Sequence, residues 1–147
     1  MHRILFAITI TSLLACNEQP AERKNGFTPE LKTKEDSLFH DVMQGHDVGM
    51  ARIGQVRKYI DQTQKAIDSI NKLSKPDEAY KQTLTELHND LKTADSGMMA
   101  WMEAFKVDSG DNDRDLRIQY LESEKLKVEK VKEAILGSIS RADSLFK

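Results

Sequence analysis

Every methionine after Met1 falls in one of two short stretches of this chain. Met43, His46 and Met50 stand at i, i+3 and i+7, which is one face of a helix. Met98 and Met102 stand at i, i+4, with Met99 and the only tryptophan, Trp101, between them. The first stretch nearly repeats itself: His40-Asp41-Val42-Met43 is followed by His46-Asp47-Val48 and then Met50. Thioether sulfur and imidazole nitrogen are ligands of the kind that select Cu(I). Met43, His46, Met50, Met98 and Met102 are therefore a candidate soft-metal set.

The same residues admit plainer uses. Methionine fills irregular gaps in a core and suits adaptable grooves for a partner protein. Gly49 on one helix leaves room for a bulky side chain opposite, and Trp101 is the expected occupant. His46, Asp95 and Glu124 fall at similar depth when residues are counted from the helix ends. They form a candidate structural polar layer, with His46 paired to Glu124, since buried polar groups need partners and can fix helix register. Haem held by His46 and a methionine is disfavoured, because no Cys-x-x-Cys-His stands ready to attach it.

Catalytic constellations are missing from the sequence. It contains no glycine-rich phosphate loop, no Gly-x-Ser-x-Gly and no His-Glu-x-x-His. Glu122/Glu124 and Asp111/Asp113 read as a solvated helix face and a capping loop. The acidic run Asp108 to Asp115 lacks the spaced ligands and closing Glu of a calcium loop. His88 reads as a boundary residue in mid-helix. With 22 Lys+Arg against 24 Asp+Glu the chain carries no electrostatic footprint for nucleic acid. The expectation is a protein that is not an enzyme.

The elements that must position these side chains are helices. Apolar residues step by three and four along three segments. The first runs Phe39, Val42, His46, Gly49, Ile53, Val56, Ile60, Thr63, Ile67, Ile70. The second runs Tyr80, Leu84, Leu87, Leu91, Ala94, Met98, Trp101, Phe105. The third runs Leu121, Glu124, Val128, Val131, Ile135, Ser138, Ala142, Leu145. Such seams, held over several heptads, are the coiled-coil signature. Breaks at Lys72 to Pro76 and at Val107 to Asp113 have the length that joins antiparallel helices. The fold class expected is all-α: an antiparallel three-helix bundle over 29–147, with helices at about 35–71, 76–106 and 112–146. Thr28-Pro29-Glu30 offers an early start to the first helix, and Asp36 or Ser37 a later one. Antiparallel packing would bring the two methionine stretches to one end.

The amino end has a different character. Met-His-Arg precedes an uncharged run, Ile4 to Ala15, which reads as a secretory signal over 1–15. The run is shorter than the roughly 20 residues of a membrane-spanning helix. Leu13-Leu14-Ala15-Cys16 resembles the bacterial lipobox, and Cys16 is the only cysteine. That resemblance implies lipidation of Cys16, such as by palmitate, cleavage before it, and a membrane partner reached through the acyl chains. Several acyl chains anchor stably where one does so only marginally. Cleavage would also remove Arg3 and leave a slightly more acidic chain, so lipid and not charge would be the tether. Residues 16–28 would then form the lipidated cysteine and a polar linker containing Pro20. Asn17 stands in place of the Asp that favours inner-membrane retention in enterobacterial lipoproteins. The expected location is the cell envelope, at the outer membrane, with an envelope protein as a candidate partner.

Three segments carry a wider likeness. His46-Asp47-x-x-Met50, Asp95-x-x-Met98-Met99-x-Trp101-Met102 and Tyr120-Leu121-Glu122 resemble recurring segments of a family of short Bacteroidota lipoproteins. Members often carry the label "viral A-type inclusion protein". The resemblance implies a membrane-anchored helical protein of the envelope and implies no chemistry. Gly49 and Ala51 depart from the family pattern, whose members often have Pro shortly after the methionine.

Overall fold

A computed structural model of the chain describes residues 31–147. The signal segment 1–15, Cys16, the linker 16–28 and the helix start at Thr28-Pro29-Glu30 lie outside the described residues. Three helices follow: α1 (Lys34–Ile70), α2 (Glu78–Ala104) and α3 (Arg114–Leu145). Among the described residues there is no strand, and no helix is long and apolar enough to cross a membrane.

Local chemistry sets the ends. Thr33 Oγ1 accepts the Asp36 backbone N–H at 3.0 Å, and the Asp36 carboxylate accepts that of Thr33 at 3.0 Å. This reciprocal capping box fixes the start of α1. Asp77, just after Pro76, accepts the Tyr80 N–H at 3.0 Å and caps α2. Asp113 accepts from Asp115 and Leu116 and caps α3. Each cap satisfies N–H groups that a helix start leaves unpaired.

Cross-helix contacts fix the chain directions. Lys34 pairs with Glu122 at 2.6 Å and Lys125 with Asp41 at 2.6 Å. Near the other end Tyr59 bonds Asp143. So α1 and α3 run parallel. His46 near the start of α1 meets Met102 near the end of α2, and Thr63 meets His88 further on. So α2 runs back against α1.

Burial follows the stepped seams. On α2 the buried residues are Leu84, Leu87, Leu91, Ala94, Met98 and Trp101. On α3 they include Leu121, Glu124, Val128, Ile135, Ser138 and Ala142. On α1, Val42, Gly49, Val56, Thr63 and Ile70 recur every seven residues, with Gly45 and Ile53 between them. Several positions differ from the seams read in the sequence: Tyr80 of the second is exposed, and Ile139, outside the third, is buried beside Ser138. Gly45, not His46, takes the buried place on α1, and Arg117 is buried at the head of α3.

Gly45 is buried because it lets α1 and α3 approach. A Cβ there would lie 3.0 Å from Val128 Cγ1. The larger imidazole at the next position is left at the flank. Gly110 has another purpose. Its φ is +82°, and a Cβ would stand 2.7 Å from the backbone nitrogen of Arg117. Only glycine fits where the α2–α3 loop turns against the start of α3.

The far end carries its own polar pairs. Tyr59 stacks on Phe146 with centroids 6.1 Å apart. Its hydroxyl bonds Asp143, which is the main cause of a phenol pKa raised above the ordinary 10.0. A group whose folded pKa is raised contributes stability that is complete below its unfolded value and lost as pH climbs through the folded one. Stability should therefore fall in the alkaline range above tyrosine's ordinary titration, and Tyr59→Phe should remove that component. Urea unfolding against pH, alongside tyrosinate absorbance, checks it.

Helical glycines give a second test. Gly54 and Gly137 have nothing within 4 Å of an added Cβ. Gly54→Ala and Gly137→Ala should each stabilise by about 0.5–1 kcal/mol, the helix-propensity difference. Gly110→Ala should destabilise by more than about 1 kcal/mol, since alanine strains at positive φ. Thermal unfolding of the purified protein separates the three.

Candidate functional site

The site is built where α1, the end of α2 and the start of α3 meet. Trp101 sits on the buried stripe of α2 and is 7% exposed. Its indole N–H donates to Glu124 Oε2 at 2.9 Å. Glu124 is itself buried, and Lys127 donates to its other oxygen at 2.7 Å. The carboxylate beside it holds the Lys127 ammonium above the usual lysine range. A buried carboxylate is costly unless both charge and hydrogen bonding are answered, and here the indole and the ammonium answer them.

Rings continue outward from Trp101 on both sides. His46 lies 5.8 Å away, centroid to centroid, tilted by 38°. Phe105 stacks at 5.0 Å, and Tyr120 on Phe105 at 6.0 Å. Tyr120 Oη accepts the Lys106 backbone N–H at 2.6 Å, which holds the exit of α2 against α3. Four rings thus link the three helices.

His46 has two polar neighbours. Nδ1 lies 2.9 Å from Asp47 Oδ1, and Nε2 lies 3.2 Å from Met102 Sδ. One turn further along α1, Gly49 faces the methyl end of Met98. An added Cβ would come within 2.3 Å of Met98 Cε and 3.4 Å of Ile135 Cδ1. The room expected opposite Gly49 is therefore filled by Met98. Trp101 packs instead over His46 and Phe105.

The structure redistributes the expected polar layer. His46 and Glu124 do not pair with each other. Each contacts Trp101, His46 through its ring and Glu124 through a hydrogen bond. Asp95 is elsewhere, accepting from Arg57 Nε at 3.0 Å on the margin between α1 and α2. The cause is register. Counting from helix ends assumes that the ends are level. Met102, two residues from the end of α2, meets His46, which is twelve residues into α1. The first turns of α1 run past α2 and pair with α3 through Lys34–Glu122 and Glu35–Arg117.

The methionines divide accordingly. Met98 is buried beneath Gly49, and Met102 touches His46. Met50, Met99 and Met102 are half-buried and pack on the core. Met99 Sδ is 4.0 Å from Arg57 Nη2. Met43 is half-buried on α1, one turn before His46.

Two features escaped the sequence reading. The buried Arg117 reaches Glu35 Oε1 at 3.3 Å, the Ser109 carbonyl at 3.0 Å and Asp111 Oδ1 at 3.6 Å. Its guanidinium also lies over the Phe39 ring at 5.9 Å, close enough for a cation–π contact. A signal existed, because Arg117 stands four residues before Leu121 on the third seam. At the other end of the bundle, Thr63 Oγ1 lies 2.8 Å from the Tyr59 carbonyl and 2.9 Å from His88 Nδ1. His88 is thus the partner of a buried hydroxyl.

Comparison with protein-family models, curated proteins and solved structures finds no match to this chain. Among the described residues no group of three His, Cys, Asp or Glu side chains could hold a metal ion.

The Trp101–Glu124 bond can be weighed directly. Trp101→Ala should destabilise by about 3–5 kcal/mol, as large core truncations do. Trp101→Phe keeps most of the ring and strands one oxygen of Glu124, which should cost about 1–3 kcal/mol. Pairing Trp101→Phe with Glu124→Gln in a double-mutant cycle, read by urea unfolding, should return a coupling energy above about 0.5 kcal/mol.

Proposed function

We propose that this chain is a lipid-anchored protein of the cell envelope, and that its helical bundle has a structural or protein-interaction role rather than a catalytic one. The observation that carries the anchor is Leu13-Leu14-Ala15-Cys16 after an uncharged run, with the only cysteine of the chain in that place. The proposal includes cleavage before Cys16, acylation of its thiol and of the new amine, and location at the outer membrane. It also includes membership of the Bacteroidota lipoprotein family whose segments the sequence resembles.

The role read for the bundle is supported by how its buried polar groups are used. Glu124, Arg117, Thr63 and Ser138 each bond a partner within the fold. Those bonds join helices, hold a loop or bend back on the helix backbone. Groups engaged in this way stabilise one arrangement of the bundle. A domain of this kind presents helix faces to a partner, and the acyl chains keep it at the membrane where an envelope partner would be met.

Metabolic labelling with an alkyne-bearing fatty acid tests the anchor. The wild-type chain expressed in a bacterial host should take up label and fractionate with membranes. Cys16→Ser should take up none and appear in the soluble fraction or as uncleaved precursor. Equal labelling of the two would overturn the anchor.

A further inference from the structure

Both ring nitrogens of His46 face atoms that accept hydrogen bonds and cannot donate them. Nδ1 is 2.9 Å from Asp47 Oδ1, and an ionised carboxylate only accepts. Nε2 is 3.2 Å from Met102 Sδ, and a thioether is a weak acceptor with no hydrogen of its own. A neutral imidazole has one N–H and can complete only one of these contacts. The carboxylate is the stronger acceptor and takes it, which leaves the Nε2 lone pair set against sulfur. The imidazolium has two N–H groups and completes both. The Trp101 ring alongside favours its charge, since the two ring centroids are 5.8 Å apart, within the range of a cation–π contact.

We propose that His46 is a proton-operated clasp between α1 and α2. With hydrogen on both nitrogens it donates across the helix interface to Met102 and holds the last turn of α2 to α1. When one proton leaves, the bond to sulfur is lost, and Met102 swings away on its unbranched side chain. Histidine is the side chain that changes charge between about pH 5 and pH 8, and the device works in that interval. By linkage, a contact that only the protonated ring makes tightens the fold on the acid side and gives way as pH rises.

His46 is about one-fifth exposed, so a proton reaches it from solvent. Each element around it brings charged groups. On α1, Asp47 is exposed and bonds Nδ1. On α2, Glu103 follows Met102 and is exposed, while Asp95, two turns earlier, is tied to Arg57. On α3, Glu124 meets Trp101, and its charge is answered by Lys127. The contact to sulfur therefore depends on the proton at Nε2. Release there loosens one end of the row of rings, His46, Trp101, Phe105 and Tyr120, that ties the exit of α2 to its neighbours. The Thr63–His88 contact further along the same interface is untouched, because a hydroxyl serves either tautomer.

The test uses the purified full-length protein with nitrogen-15 histidine and carbon-13 methyl-labelled methionine, followed by NMR from about pH 5 to about pH 8 with a metal chelator present. On the acid side both His46 nitrogens should carry hydrogen. The Met102 methyl resonance should move with the same midpoint as the His46 ring, and that of the buried Met98 should not. A double-mutant cycle of His46→Leu with Met102→Leu, read by urea unfolding, should give a coupling of about fivefold or more in the unfolding constant at the acid end and about none at the alkaline end. A Met102 methyl that stays still while His46 titrates overturns the clasp. So does a coupling of equal size at the two ends of the range.

Discussion

A charge buried in a helical bundle must be answered by a partner, and that requirement sets the register of this one. Stepped apolar seams make good contact at more than one offset, because a heptad repeat matches itself after each heptad. Glu124 removes that freedom between α2 and α3. Its carboxylate is buried and accepts from Trp101 on the facing helix. Sliding α2 by a heptad would take the indole away and leave the carboxylate with Lys127 alone. Arg117 does the same between α3, α1 and the connecting loop, through Glu35, Ser109 and Asp111. Removing one member of a buried pair leaves an uncompensated charge, which is far more costly than an imperfect aliphatic contact.

Both buried charges lie toward the same end of the bundle, where α2 stops short and the loop from 105 to 113 climbs beside α3. The offset of the helix ends creates the surroundings of His46. If α2 extended level with the start of α1, another turn of helix would lie over the first turns of α1. Instead the loop lies against the start of α3, held by Gly110 packed on the Arg117 backbone and by Tyr120 on the Lys106 amide. The chain of rings from His46 through Trp101 and Phe105 to Tyr120 fills the step between the uneven ends.

This offset also explains how far the sequence could be read. The buried stripe of α2 from Leu84 to Trp101 was legible residue by residue, because its apolar spacing has no competing phase. On α1 two phases compete, and a rule that favours larger residues selects His46. Burial there follows how closely helices can approach, which favours Gly45. Asp95 was misplaced because depth was counted from helix ends whose relative levels depend on the path of the loop. Arg117 was passed over because its burial depends on partners distant in sequence. Each miss concerns a three-dimensional offset or an ion pair, neither of which appears in the hydrophobic period of one segment.

Two histidines sit on the interface of α1 and α2, and their contacts differ in kind. His88 Nδ1 faces the Thr63 hydroxyl at 2.9 Å. A hydroxyl both donates and accepts, and its hydrogen turns to suit whichever tautomer the ring adopts. That contact is complete within the protein. His46 has no adjustable neighbour of this kind. On one side stands a carboxylate that can only accept, and on the other a thioether with nothing to give. Turning the ring over would put Cδ2 and Cε1 where Nδ1 and Nε2 stand and lose both contacts. The Thr63–His88 pair is closed by its own hydrogens in either tautomer, whereas the line from Asp47 through His46 to Met102 is closed only with a hydrogen on both ring nitrogens.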